Sequence, residues 1–412
     1  MDRPRVVITG VGVIASNGMG KKAFASALMR GMSGIGPIKT FDPSGYSSQI
    51  AGEVLHFQPE EFIEKRELRR MERFVQFALV SAKMAIHDSG LDLAQENLEE
   101  MGIILGTGMG SMDRTEKEYR TLFTQGPSRI SPTYLAAAIP NTAAAQIAIA
   151  LGLGGYLGTT LASCAAGTQA VGEAYHLLQR GWGEVILAGG TEANISPLYL
   201  GAFCNMKALS TRNEDPVSAC RPFDRDRDGF VLAEGAGILV LETLEHAMKR
   251  GAHIYGEIAG FGVSSDGHHL TAPDPEAKGM IRAMKRALSD GKMNPEEVDY
   301  INAHGTGTFL NDWLESYAIK RVFGSKAYHL AVSATKSMTG HSLSAAGAIE
   351  LIATLLAMQE HFIPPTINYK TPDPQCELDY VPNEARQKQI DAALSNSFGF
   401  GGQNASILVR RM

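Results

Sequence analysis

Two stretches 180 residues apart in this 412-residue chain repeat one design, and that repeat constrains the fold more than any other feature. Cys164-Ala165-Ala166-Gly167 opens an alanine-rich helical run that ends near Gly181, after which residues 184–188 form an apolar β-branched run. Gly340-His341-Ser342-Leu343-Ser344-Ala345-Ala346-Gly347 opens a second such helical run, to residue 360. Around the first lie strand-like runs at 5–9, 101–105 and 237–241 and helical periodicity over 67–88 and 165–180. Around the second lie strand-like runs at 254–258, 300–303, 330–333 and 406–409 and helical stretches at 276–290, 312–323 and 344–360. Strand and helix alternating in this way predict an α/β protein with a mainly parallel sheet covered by helices, built from two pseudo-symmetric halves. The expected halves are 1–250 and 251–412, joined at the basic helical stretch 245–251, with no Pro/Ser-rich linker to separate them.

Charge narrows the function classes. Forty-four acidic against 38 basic side chains leave a net charge of −6, which argues against a nucleic-acid partner, so any anionic partner must meet a local patch. Lys65, Arg66, Arg69, Arg70 and Arg73 fall at helical i, i+3 and i+4 spacing and form the candidate, with Glu61, Glu64, Glu67 and Glu72 between them as the competing charge. No run reaches the ~18 uncharged apolar residues of a membrane span, and the N-terminus shows no leader pattern. Four cysteines without a Cys-x-x-Cys pair argue against a disulfide framework and a structural zinc, and fit a reducing, cytoplasmic setting.

Gly10-Val11-Gly12-Val13-Ile14-Ala15 satisfies a dinucleotide-binding pattern after a strand. It lacks the immediate helix and the later acidic residue, so these glycines are read as structural turn residues. Cys164 is more telling. Its place at a helix start predicts a thiol with lowered pKa, and its small neighbours leave room for a ligand chain. Cys204, Cys220 and Cys376 have no such setting. His304, in Ala303-His304-Gly305-Thr306-Gly307-Thr308, and His341 sit in Gly/Thr-rich strand ends of one half and could converge on a thiol held by the other. Neither has a carboxylate or histidine at i+3 or i+4, and adjacent His268 and His269 point in two directions, so no metal site is expected. Residues 396–404 read as a flexible glycine-rich loop able to offer backbone N–H groups to an oxyanion and to act as a gate.

Together these residues resemble the thiolase-fold condensing enzymes, specifically the type II β-ketoacyl-acyl-carrier-protein synthases. The likeness rests on Gly189-Gly190-Thr191-Glu192-Ala193, Arg221-Pro222-Phe223-Asp224, Arg227-Asp228-Gly229-Phe230, His304-Gly305-Thr306-Gly307-Thr308, Lys336-Ser337-Met338-Thr339-Gly340-His341 and Ser397-Phe398-Gly399-Phe400-Gly401-Gly402, in order over the whole chain. The resemblance implies a layered α/β/α/β/α fold and a Cys164, His304, His341 triad. It implies that Lys336 pairs with Glu350, that the N–H groups of Cys164 and Phe400 form the oxyanion hole, and that Phe400 is the aromatic gate. Thr306, Thr308 and Thr271 would hold pantetheine, Met109 would line the acyl pocket, and Lys65, Arg66 and Arg69 would meet an acyl carrier protein. It further implies a homodimer, substrates carried on phosphopantetheine and no resident cofactor. Ala162, Ser344, Phe309 and Trp313 depart from the family pattern. They leave open a ketosynthase of a type II polyketide or secondary-lipid pathway, with a non-identical partner subunit; a silent chain-length partner conflicts with retention of Cys164. A coenzyme A thiolase lacks support because Cys376 lies in a loop-like Pro-Asp-Pro-Gln segment.

Overall fold

The computed structural model describes residues 3–412. Ten strands form one hydrogen-bonded path in which the second five repeat the order of the first. The first set is β1 (Val6–Ala15), β2 (Gly102–Gly106), β3 (Leu157–Thr160), β4 (Val185–Glu192) and β5 (Gly235–Thr243). The second is β6 (Gly256–Ser265), β7 (Tyr300–Asn302), β8 (Ala331–Ser333), β9 (Ala392–Gly399) and β10 (Gln403–Arg410). Their spatial orders are β1-β5-β4-β2-β3 and β6-β10-β9-β7-β8, joined where Val6–Ile8 pairs with Gly256–Ile258.

The helices repeat too. α1 (Arg73–Ser89) follows β1 as α4 (Lys278–Asp290) follows β6, and α2 (Thr142–Leu151) precedes β3 as α5 (Phe309–Phe323) precedes β8. α3 (Ala166–Gln179) and α6 (Ala346–Gln359) each follow the third strand of their half and pack on one another between the two five-stranded halves of the sheet. Val171, Leu178, Ile349 and Leu356 belong to that central core. Phe77, Ile147 and Ile238 lie in one outer core and Met284, Leu314 and Leu408 in the other, which completes five layers. Every residue of α6 from Ala346 to Met358 is buried, as a helix without a polar face must be. The close approach of α3 and α6 explains the shared Ala-Ala-Gly. A Cβ at Gly167 would lie 2.7 Å from the Ser344 carbonyl oxygen, and one at Gly347 would lie 2.0 Å from Thr168 Oγ1.

Several expectations need correction. Pairing is parallel only across β3-β2-β4 and β8-β7-β9; the last strand of each half runs antiparallel between its first and fourth, so the sheet is mixed. Gly10 and Gly12 lie inside β1 rather than in a turn, where α1 presses so closely that a Cβ would sit 2.3 Å from Ala85 O and 1.9 Å from Ser81 O. The helix expected over 67–88 is broken: a four-residue helix, Lys65–Leu68, ends before α1 begins at Arg73. Arg73 turns inward to Glu234 at 2.7 Å and over the Phe77 ring, leaving Lys65, Arg66, Arg69 and Arg70 exposed on a separate short turn. Residues 396–404 are a β9–β10 hairpin, with only Phe400–Gly402 as the turn. Its strand was hidden by buried polar residues: Ser397 bonds Thr168, and Asn396 accepts from Ser406 and donates to Glu315. No helix among the described residues is long and apolar enough to cross a membrane.

Candidate active site

Cys164 sits in a 3₁₀ turn, Ser163–Ala165, between β3 and α3, and Ser163 takes a positive φ of 48° to turn the chain. The C-terminal hairpin closes on this turn. A Cβ at Gly399 would lie 3.0 Å from the Cys164 nitrogen, so glycine lets the next residue, Phe400, bring its N–H to the thiol. The N–H groups of Phe400 and of Cys164 itself both act on the sulfur. Two backbone N–H groups converging in this way can hold a developing oxyanion. The thiol is not acidified as its helix-start position predicted: burial pushes it up to about 11, opposed by Lys336 and the two N–H groups and reinforced by the Glu192 carboxylate. Cys376, away from the cavity, is likewise pushed up to about 11, so surroundings rather than acidity set Cys164 apart.

His304 follows β7 and His341 follows the short helix Lys336–Thr339 after β8; both are buried, with ring centroids 5.3 Å apart. Both are locked from behind. The N–H groups of His304 and Gly305 donate to the two oxygens of Glu315, each at 2.9 Å. His341 is held by the first half, its N–H donating to Val231 O at 2.7 Å and its carbonyl accepting from Ala233 at 3.0 Å. The ring protons follow from the same contacts. Leu343 N–H donates to His341 Nδ1 at 3.2 Å, and Lys336 Nζ lies 3.2 Å from His304 Nδ1 and donates to its carbonyl at 2.7 Å. With each Nδ1 an acceptor, each proton sits on Nε2. Burial, Lys336 and, for His304, the neighbouring His341 hold both rings well below the usual histidine range, so they are neutral Nε2–H donors at physiological pH. Lys336 is itself fully buried against Glu350 at 2.5 Å, and burial pushes that carboxyl up to about 7.

Cys164, His304 and His341 thus line one cavity of about 640 Å³, drawn from both halves. A family model described as "Beta-ketoacyl synthase, N-terminal domain" matches residues 3–247, and "Beta-ketoacyl synthase, C-terminal domain" matches 255–370. The chain belongs to the β-ketoacyl synthase family. It is 47% identical over 412 residues to the 3-oxoacyl-[acyl-carrier-protein] synthase 2 of Coxiella burnetii, covering 100% of both chains. To the Synechocystis enzyme of the same name it is 46% identical over 411 residues, 100% of this chain and 99% of the relative. It also superposes, with a TM-score of 0.91, 36% identity and 100% coverage of both chains, on a structure of a type II PKS acyl-carrier protein in complex with its ketosynthase bound to the hexaketide. Family membership makes it an acyl-transferring, condensing ketosynthase.

Thr271, Thr306, Thr308, Met109 and Phe400 line the same cavity, and the Thr306 and Thr308 hydroxyls are 2.9 Å apart. The motifs without reactive groups hold the histidine loops: Arg227 donates to Thr308 O at 3.2 Å and Phe309 O at 3.0 Å, and Gly229 N–H to Gly307 O at 3.0 Å. Of the departures, Ala162 is buried beneath the nucleophile turn, Phe309 is exposed on the cavity rim under Arg227, and Trp313 packs at the edge of an outer core. Lys65, Arg66 and Arg69 do not line the cavity. Sequence reasoning missed Glu315, whose signal is an acid three residues after Asp312 on the buried side of α5, and Phe230 and Phe398, which face the His341 and His304 rings at 5.3 and 5.9 Å.

Proposed function

We propose that this ketosynthase is an elongating β-ketoacyl-acyl-carrier-protein synthase in which Cys164 carries the acyl group and His304 and His341 stabilise the enolate of malonyl carrier protein. One observation carries the reading: two neutral Nε2–H imidazoles and a thiol faced by two backbone N–H groups share one cavity. Cys164 sulfur attacks the acyl thioester while the N–H groups of Cys164 and Phe400 hold the carbonyl oxygen; the pantetheine sulfur leaves and takes up the thiol proton. Malonyl thioester then replaces the freed arm. Its carboxylate departs as carbon dioxide, and the electron pair passes to the thioester oxygen, where His304 and His341 donate to it. The enolate carbon attacks the Cys164 acyl carbon, the carbon–sulfur bond breaks, and the departing thiolate takes a proton from solvent. No resident metal or organic cofactor enters this scheme. Lys336 keeps the Nδ1 of His304 an acceptor, so the ring presents a donor rather than a second base.

Thr306, Thr308 and Thr271 take the pantetheine arm, Met109 the acyl chain, and Lys65, Arg66 and Arg69 the acidic carrier protein. The exposed edge strand β3, with Leu157, Leu161, Phe123 and Leu135 also exposed, supports a homodimer across that edge. Four free cysteines support a reducing, cytoplasmic setting. The likeness to a polyketide ketosynthase supports the second reading, a type II polyketide condensation. The test is malonyl carrier protein with acyl donors of graded length, with products identified by mass and the enzyme's subunits by sedimentation. Single-round 3-oxoacyl products from one kind of chain support elongation; polyketide release, or activity only with an unequal second chain, supports the alternative.

A further inference from the structure

Ser344 occupies in the second half the place Cys164 occupies in the first: the turn Leu343–Ala345 begins with a residue at φ 48°, as does Ser163–Ala165, and runs into α6 as the other runs into α3. Its hydroxyl is buried on the wall of the same cavity and donates to Ser163 O, one residue before the nucleophile, at 3.2 Å. Beside it lies Glu192, at the end of β4, a fully buried carboxyl that burial pushes up to about 7 and that no ion pair among the described residues reaches. Neutral donors hold it instead: Gly108 N–H at 3.0 Å, the Asn194 amide, and the backbone N–H of Ser344, whose hydroxyl proton goes to Ser163 O. Asn194 is fixed in turn by Met112 N–H at 3.2 Å. These groups meet at one point, since a Cβ at Gly108 would lie 2.7 Å from Glu192 Oε2 and 3.0 Å from Ser344 Oγ. Gly108 is also the residue before Met109 on the cavity wall.

A buried carboxylate that the reaction does not consume, fastened on one side to the acyl-pocket loop and on the other to the nucleophile turn, is costly unless the fastening is its use. We propose that Ser344 and Glu192 are a positioning pair for Cys164, tying the nucleophile turn to the Gly108–Met109 loop and setting the charge the thiol faces. The groups facing the thiol are Lys336, the N–H groups of Phe400 and Cys164, the neutral His304 and His341, Tyr199 and Glu192; of these only Glu192 opposes ionisation by its charge. This inference rests on the reading of Cys164 as the nucleophile.

The experiment uses Ser344→Ala and Glu192→Gln. Acyl transfer from carrier protein to the enzyme is followed by intact mass, and iodoacetamide labelling of Cys164 is followed across pH. Ser344→Ala is expected to lower the maximal rate of acyl transfer about five- to tenfold, the worth of one internal hydrogen bond, with KM for the donor changed less than about twofold. Glu192→Gln is expected to move the labelling midpoint to lower pH, because the like charge is gone. Wild-type rates in Ser344→Ala, or an unmoved midpoint in Glu192→Gln, overturn the pair. If Ser344→Ala fails to fold, Ser344→Gly removes the same hydroxyl without adding volume and is read the same way; if Glu192→Gln alone fails to fold, Glu192 is structural only and the pair is overturned. Absence of an acyl adduct on Cys164 in the unaltered chain would instead overturn the nucleophile assignment itself.

Discussion

The two turns that open α3 and α6 share a backbone and differ in everything that makes chemistry. Around Cys164 the hairpin brings an N–H and Lys336 brings a positive charge; around Ser344 the neighbour is the Glu192 carboxylate. The loops after β2 and β7 diverge in the same way. Thr107-Gly108-Met109-Gly110 and His304-Gly305-Thr306-Gly307 share a Gly-x-Gly spacing whose second glycine takes φ of 66° and 80°, yet one brings Met109 to the cavity wall and the other His304 and Thr306. The duplicated fold therefore supplies four equivalent perches around one cavity, and side-chain substitution divides the labour among them.

The sharpest test exchanges the perches. Cys164→Ser is expected to cut 3-oxoacyl product formation at least about 10³-fold, and adding Ser344→Cys in that background should not restore it, because no hairpin N–H or positive charge faces position 344. Restored product, measured by mass spectrometry, would show the halves to be chemically interchangeable. Next in size, His304→Ala or His341→Ala should slow carbon dioxide release from malonyl carrier protein about 10²- to 10³-fold while Cys164 still accepts an acyl group. Decarboxylation at the unaltered rate would take the histidines out of that step.

Lys336→Met should cost about ten- to a hundredfold in condensation, the worth of hydrogen bonds made by a charged donor. Its pH signature has a defined sign. Lys336 lowers the proton affinity of His304, so its removal raises that affinity, and the acid limb of the decarboxylation profile should move to higher pH. A limb that stays in place or moves to lower pH contradicts that role. Met109→Phe should lower turnover of long acyl donors about tenfold and spare short ones, since a rigid ring replaces an adaptable side chain on the cavity wall. An unchanged chain-length profile would place the acyl chain elsewhere. The smallest effect is expected at the exposed basic turn, where charge reversal at Lys65 and Arg69 should raise KM a few-fold for carrier-linked donors but not for free pantetheine thioesters. Equal changes in both would remove the docking role.

Cys164, His304 and His341 were legible because each is a lone reactive side chain set in a short motif of glycines and small residues, which neither core packing nor a solvated face requires; Lys336 was legible only through the family resemblance. Glu315 and Glu192 were not, since a buried acid on a helix or at a strand end looks in sequence like a surface one until its donors are known. The basic run 65–73 misled because periodicity cannot show that Arg73 gains more from Glu234 and Phe77 than from continuing a solvated helix.

By itself, the sequence determined the class of fold, the repeat and the identity of the reactive groups, because periodicity and motif spacing are local properties of the chain. Only the tertiary structure decided how they act. The reversal of β5 and β10, the N–H of Phe400 at the thiol and the imidazole protons on Nε2 all depend on contacts between residues far apart in sequence. The thiol's acidity does too: a helix start predicts a low pKa, but burial outweighs it, and burial is a property of the assembled layers alone.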